Sequence, residues 1–332
     1  MSVVHFLNVK EGDCSIIKHD SEHISVIDVS NARKEYTEEE KISAMVKTLF
    51  ESKEAGSGNF NQKTYPINPI EYMKSFGITS IFRFILTHPD MDHMDGIKNI
   101  FEEFSPANFY DTDNRKEIEF NENSPYQEED WLFYKNLRDT KPQKNPKCLT
   151  LFSGDDEVYR TKDWEGNQPG DSFYILAPTP ELVEEANETG DFNDCSYVIL
   201  HKGLWGNVLF SGDAYDKTWD HVISKHEKDV KDIDLLIAPH HGRKSDRDYS
   251  FLDVINPKMT FFGNARAEEL AYSAWKYRNL HYITNNQANC MVVDMNDINL
   301  PIYVTNKKFA EQQNLFTSFN DEFKAWFLKN IK

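Results

Sequence analysis

Six consecutive residues, His88-Pro-Asp-Met-Asp-His93, hold four side chains able to ligate a metal ion. Alternate residues of an extended segment point the same way, so His88, Asp90 and Asp92 can converge while His93 turns toward a second centre. Two metals about 3.5–4 Å apart require such a divergent set. The two aspartates would repel each other without a cation, which argues against a plain surface turn. Two later segments carry the same chemistry. Ser211-Gly-Asp213 offers a carboxylate that could bridge two metals, and Pro239-His-His-Gly242 offers His240 and His241, one directed into a site and the other elsewhere. Each segment directly follows an apolar run, and strand ends are where α/β folds display ligands and catalysts.

The elements that must position these residues can be read from periodicity. Val3–Val9, Cys14–Lys18 and Ile24–Val29 alternate as strands around a Glu11-Gly-Asp13 turn. Residues 31–50 have helical spacing and 51–69 a loop composition; Glu71–Phe76 predicts a helix stopped at Gly77. Ile78–Leu86 predicts a buried strand leading into the His88 segment, with a helix over Ile97–Phe104 behind it. Residues 110–147 are polar and predict an insertion or lid with a helix near Trp131–Leu137. Lys135, Arg138, Lys141, Lys144 and Lys147 form a basic cluster there, most simply a solvated face. Strands are expected at Ser172–Ala177, Tyr197–His201, Val208–Phe210, Leu235–Ala238, Met259–Phe262 and Met291–Asp294, and a helix at Lys217–His226. Phe319, Phe323, Trp326 and Phe327 suggest an amphipathic C-terminal helix.

With 39% hydrophobic and 13% aromatic residues, the 332-residue chain can bury a large core. Its net charge of −18 argues against a protein that coats nucleic acid through a net basic face. The start lacks a basic, apolar leader and the apolar runs are far shorter than the roughly 20 residues of a membrane span, so the expectation is a cytosolic protein without a membrane partner. Cys14, Cys148, Cys195 and Cys290 are scattered without a CxxC pair, which predicts free thiols.

Taken together, the motifs resemble the metallo-β-lactamase superfamily, and within it the hydrolase domain of the ComEC-type competence proteins. Phe6-Leu-Asn-Val-Lys-Glu-Gly-Asp13 is similar to the opening LDVGQGD strand, Val26-Ile-Asp28 to the iID strand, and Thr87–Gly96 to the THxDxDHxGG signature. Asn193-Asp-Cys-Ser196 with Tyr197–Leu200 resembles the NxxSxVL segment, Leu209–Asp213 resembles LLTGD, and Leu236–Gly242 resembles LkvpHHG. The resemblance covers residues 1–300, with polar insertions at about 31–70 and 105–170, and leaves 301–332 as a helical extension.

It implies a four-layer αββα sandwich of mixed α/β class with two divalent metals on one edge. His88 and Asp90 would hold the first metal, Asp92 and His93 the second, with Asp213 bridging. His240, or less readily His241, would complete the second metal. Asn193 and Asp194 stand where the superfamily usually has a further histidine, and Asp28 would orient the signature loop rather than bind metal. Asp90 replaces a more common histidine and hardens the site toward Mn²⁺ or Mg²⁺ relative to Zn²⁺, with Zn²⁺ still admissible. Two dications held there would supply an activated water as nucleophile, and Asp92 would both bind metal and orient it.

The resemblance points to phosphodiester hydrolysis, with DNA as the substrate and a protein partner from the same bacterial defence or DNA-handling operon. Arg243 and Lys244, with Arg247 beyond them, follow the histidine pair and could meet phosphates. Two other readings stay open: a small-molecule phosphodiesterase acting on a cyclic nucleotide or phosphocholine ester, and a partner-binding regulatory protein with a residual metal site.

Overall fold

The structure is a computed structural model, and it describes residues 2–33, 60–121, 123–155, 160, 170–265 and 267–332. The expected helix over 31–50 and loop over 51–69 lie largely outside these residues. Val3–Phe6 (β1), Ser15–Lys18 (β2) and Ile24–Ile27 (β3) form an antiparallel meander, and Arg83–Ile85 (β4), Asn108–Tyr110 (β5) and Lys147–Leu149 (β6) continue it in parallel. A second sheet holds Phe173–Ala177 (β7), Val198–Lys202 (β8), Asn207–Phe210 (β9), Leu235–Ile237 (β10), Met259–Phe262 (β11) and Tyr282–Thr284 (β12). Its last four strands are parallel. Met291–Asp294 (β13) returns to the first sheet beside β1, followed by Pro301–Val304 (β14), Phe319–Asn320 (β15) and Ala325–Asn330 (β16).

Side-chain alternation builds the layers. Ile27, Ile85 and Tyr110 of the first sheet meet Val208, Phe210, Leu235 and Ile237 of the second in one core between the sheets. Their neighbours Val26, Phe84 and Phe109 point outward and are covered by the helices Pro69–Ser75 (α1), Ile97–Phe104 (α2) and Glu128–Thr140 (α3). Leu209 and Leu236 point the other way, under the helices Asp216–Val230 (α4) and Phe251–Ile255 (α5). Strands covered on both faces read as continuous apolar runs, which is why they were visible in the sequence. The result is the helix–sheet–sheet–helix sandwich expected. Short helices depend on this packing: α2 has 8 residues, too few to be stable alone in water, and buries Ile97, Ile100, Phe101 and Phe104 on one face.

Two expectations are corrected. The described residues of 110–147 form no lid: β5 and β6 flank them and extend the sheet, and Trp131, Tyr134 and Leu137 of α3 enter the outer core. The basic cluster there is paired locally, Lys135 with Glu117 at 2.5 Å, Arg138 with Asp139 at 2.8 Å, and Lys141 with Asp113. The C-terminal segment is not a helical extension either. Trp326 and Phe327 lie on β16, opposite Val304 and Tyr303 of β14. Aromatic residues favour a pleated, half-buried surface, and the open edge of β14 supplied backbone partners that a helix could not use. The helix in this region is shorter and earlier, Lys307–Gln313. Among the described residues no helix is long and apolar enough to cross a membrane, and all four cysteines are free.

Candidate metal centre

The site residues gather where strands end. Asp13 follows β1, Asp28 follows β3, His88–His93 follow β4, Asp213 follows β9, and His240 and His241 follow β10. Asp28 ties the signature loop together. Its carboxylate accepts from the Thr87 backbone N–H and hydroxyl, both at 2.7 Å, and faces His93 Nδ1 at 2.8 Å. The loop turns back through a short 3-10 segment, Met91–His93. Gly12, at φ +71°, packs against it so closely that a Cβ would overlap the Asp92 carbonyl. On the other sheet, the Asp213 N–H donates to Ser196 Oγ at 3.2 Å. His240 and His241 both adopt left-handed backbone, at φ 54° and 57°, and this tight turn sends their rings to different sides.

Four side chains converge. His93 Nε2 lies 3.2 Å from Asp213 Oδ1; His88 Nε2 and His241 Nε2 lie 3.8 and 3.7 Å from Asp213 Oδ2. His241 Nε2 is also 3.4 Å from Asp92 Oδ2, and its Nδ1 is 3.0 Å from Asp13. Two overlapping groups are compact enough to hold a metal: His88, His93 and Asp213, and Asp92, His93 and His241. A cation fits these residues for a direct reason. His88 Nε2, His93 Nε2, His241 Nε2 and Asp213 Oδ1 are all buried and make no hydrogen bond. Buried polar atoms are almost always partnered, and a divalent ion would satisfy these together.

The electrostatics agree. Burial resists charge on His93, but the Asp213 and Asp28 carboxylates outweigh it and lift its pKa well above the ordinary value. The same contest, with Asp13 and Asp213 against burial, carries His241 up to about 10. Burial would raise Asp213, yet His241, His93 and His88 hold it well below the usual carboxylate range. Surplus carboxylate charge thus draws protons onto the imidazoles, the signature of a site built for something more positive than histidine.

The expected ligand set changes in detail. His241, not His240, is the wholly buried ring grouped with Asp92. His240 sits across Asp213, with Nε2 at 3.6 Å from Oδ2, and burial lowers its pKa to about 4. Asp90 stands outside both groups: it is 3.8 Å from His88 and is paired with Lys116. Asn193 joins neither group among the described residues, its N–H donating to Asp191, and Asp194 accepts from Thr218 at the start of α4. Lys244 turns away to the Glu268 carbonyl, whereas Arg243 stays close enough to His240 to depress its pKa. Sequence reasoning misses two residues beside the site: Asp13, in the turn between β1 and β2, and Lys116, from the polar segment. Arg247, expected among the basic residues that could meet phosphates, is buried with its guanidinium 4.5 Å over the Tyr215 ring.

Comparison with protein-family models gives no match, and comparison with curated protein sequences gives none. Among solved structures the chain is similar to the metallo-beta-lactamase fold protein YhfI from Bacillus subtilis, at 10% identity and TM-score 0.44 over 86% of this chain and 96% of that one. It is also similar to Tm1679, a metal-dependent hydrolase of the beta-lactamase superfamily, at 12% identity and TM-score 0.48 over 86% and 96% of the two chains. A third is a diphosphatase from the PhnP family, at 11% identity and TM-score 0.35 over 79% and 86%.

Proposed function

We propose that this chain is a metal-dependent phosphodiester hydrolase, with DNA as the first substrate class to test. The observation that carries the reading is the set of unpartnered imidazole Nε2 atoms around Asp213 at the carboxyl ends of the strands. Divalent ions held there would activate water and neutralise charge on a phosphoryl oxygen. The chain's own residues supply the rest. Asp28 holds the ring of His93 by a hydrogen bond, and Asp13 sets its charge 3.0 Å behind the ring of His241. Asp92 and Asp213 provide carboxylates on either side of those rings. Lys116 at Asp90 and Arg247 beside Asp213 place positive charge at the flanks, where a phosphate would need it.

A second reading, a small phosphodiester as substrate, gains from one finding. Three of the five cations at 135–147, Lys135, Arg138 and Lys141, are paired with carboxylates, which weakens that segment as a cationic track for a duplex. The experiment offers labelled single- and double-stranded DNA and bis-p-nitrophenyl phosphate to protein loaded with Mn²⁺, Zn²⁺ or Mg²⁺, or stripped with EDTA. Metal-dependent DNA cleavage that is lost in the Asp92→Ala/His93→Ala double variant supports the nuclease. Cleavage of the small ester alone selects the second reading. No turnover with any metal removes the hydrolase.

A further inference from the structure

The histidines of this centre differ in what stands behind their Nδ1 atoms. Asp28 faces Nδ1 of His93 at 2.8 Å and Asp13 faces Nδ1 of His241 at 3.0 Å. A carboxylate only accepts, so the His93 ring carries hydrogen on Nδ1 and aims its Nε2 lone pair inward, and the Asp13 carboxylate beside His241 favours the same tautomer without a formed hydrogen bond. His88 follows by elimination. The single Thr87 hydroxyl hydrogen goes to Asp28 at 2.7 Å, so its oxygen, 3.1 Å from His88 Nδ1, must accept from that ring. All three are set as metal ligands.

His240 is the reverse case. Its Nδ1 faces Nη2 of Arg247 at 3.5 Å, and a guanidinium can only donate. Hydrogen therefore sits on Nε2, and it does so whether the ring is neutral or charged. Nε2 points to the centre, 3.6 Å from Asp213 Oδ2, and the side chain is 23% exposed where His88, His93 and His241 are at 0%. Arg247 is held in place to impose this. It is 4% exposed, its Nε donates to Ser245 Oγ at 2.7 Å, its Nη2 donates to the Asp213 carbonyl at 3.4 Å, and its plane covers the Tyr215 ring. Binding a metal through His240 Nε2 would move the hydrogen to Nδ1 and set it against a cation.

We infer that His240 serves the centre as an N–H donor to a phosphoryl oxygen of the substrate rather than as a metal ligand, with Arg247 as the positioning residue that fixes its tautomer. The inference rests on the hydrolase reading above for the substrate and on the geometry alone for the tautomer.

The test measures bound metal by mass spectrometry, inorganic phosphate binding by calorimetry, and bis-p-nitrophenyl phosphate turnover, all on metal-loaded full-length protein. His241→Ala should lose metal. His240→Ala should keep wild-type metal content while phosphate binding weakens and kcat falls about 10²–10³-fold, as for loss of one oxyanion donor. His240→Gln, which retains an N–H, should recover part of both and guards against misfolding of the alanine variant. Arg247→Met should keep metal but lower kcat about 10-fold or more, with Arg247→Lys closer to wild type. Metal loss in His240→Ala matching that in His241→Ala overturns the inference, as does unchanged phosphate affinity. If the wild type turns nothing over, the hydrolase reading fails, and the metal and phosphate arms still decide the role of His240.

Discussion

Strands β3 and β4 carry a buried polar cluster at each end, and the two clusters contain similar residues. At the start of the strands Arg83 donates to Ser25 Oγ at 2.9 Å and to Asp171 at 2.6 Å, and Asp171 also takes His23 at 2.9 Å. His19 and His201 lie nearby, with Nε2 atoms 2.7 Å from the Ser25 and Ser2 hydroxyls. At the far end of the same strands stands the candidate metal centre. The first cluster has an arginine for its carboxylate and a hydroxyl for each Nε2, so its charge is balanced, and the Nδ1 atoms of His19 and His201 are left without a partner among the described residues. The second surrounds His88, His93 and His241 with Asp13, Asp28, Asp92 and Asp213, and leaves three Nε2 atoms without a partner. Composition does not separate a structural knot from a functional site here; unbalanced charge and the convergence of unpartnered Nε2 atoms on one carboxylate do.

The largest expected effects pull these ends apart. His93→Ala removes the ring shared by both metal-holding groups and should abolish metal binding, with turnover falling about 10³-fold or more. The folded state should survive it. Arg83→Met at the other end leaves Asp171 buried without its main cation and should cost about 3–5 kcal/mol of stability. Its metal content, measured in the remaining folded fraction, should match wild type. A His93 variant that unfolds while retaining metal, or an Arg83 variant that loses metal while folded, would dissolve the distinction.

How much of this was legible follows the same division. The strands showed in the apolar runs, because strands covered on both sides cannot hide their pattern, while their layered order came only from the resemblance. The His88–His93 segment, Asp213 and the histidine pair stood out as candidates because side chains able to hold a metal follow apolar runs there. The choice between His240 and His241 did not, since it depends on two consecutive left-handed residues that no local pattern announces. Lys116 was hidden inside a polar stretch whose role is tertiary. The tail failed for a different reason. Phe319, Phe323, Trp326 and Phe327 have helical spacing, but the free edge of β14 decided the outcome.

A middle-sized effect sharpens the role of the outer carboxylates. Asp13 stands 3.0 Å from Nδ1 of His241, behind the nitrogen that faces inward. Asp13→Asn should reduce metal affinity about 10–100-fold, the usual cost of losing such a partner, with little change in thermal stability. Isothermal titration with Zn²⁺ and Mn²⁺ checks it. Affinity equal to wild type would reduce Asp13 to a packing residue like those of the opposite cluster.

The smallest effect concerns pH, and one histidine from each end should respond with the opposite sign to the other. Burial holds His201 at about 4, below the ordinary histidine value of 6.5. The unfolded chain therefore takes up its proton first, so the contribution of His201 is complete above 6.5 and is lost as pH falls toward 4. His241 is carried up to about 10 by Asp13 and Asp213 against the effect of burial. In metal-free protein its contribution is complete below 6.5 and is lost as pH rises toward 10. Melting temperatures in EDTA across pH 4–10 read both limbs, at about 2–4 °C for each kcal/mol. His201→Gln should flatten only the acid limb and His241→Gln only the alkaline one. Adding metal should remove the alkaline limb from wild type, because the ion takes the place of the proton and binds the folded state alone. An alkaline limb that persists with saturating metal would mean that His241 keeps its proton, and that the cation is held elsewhere.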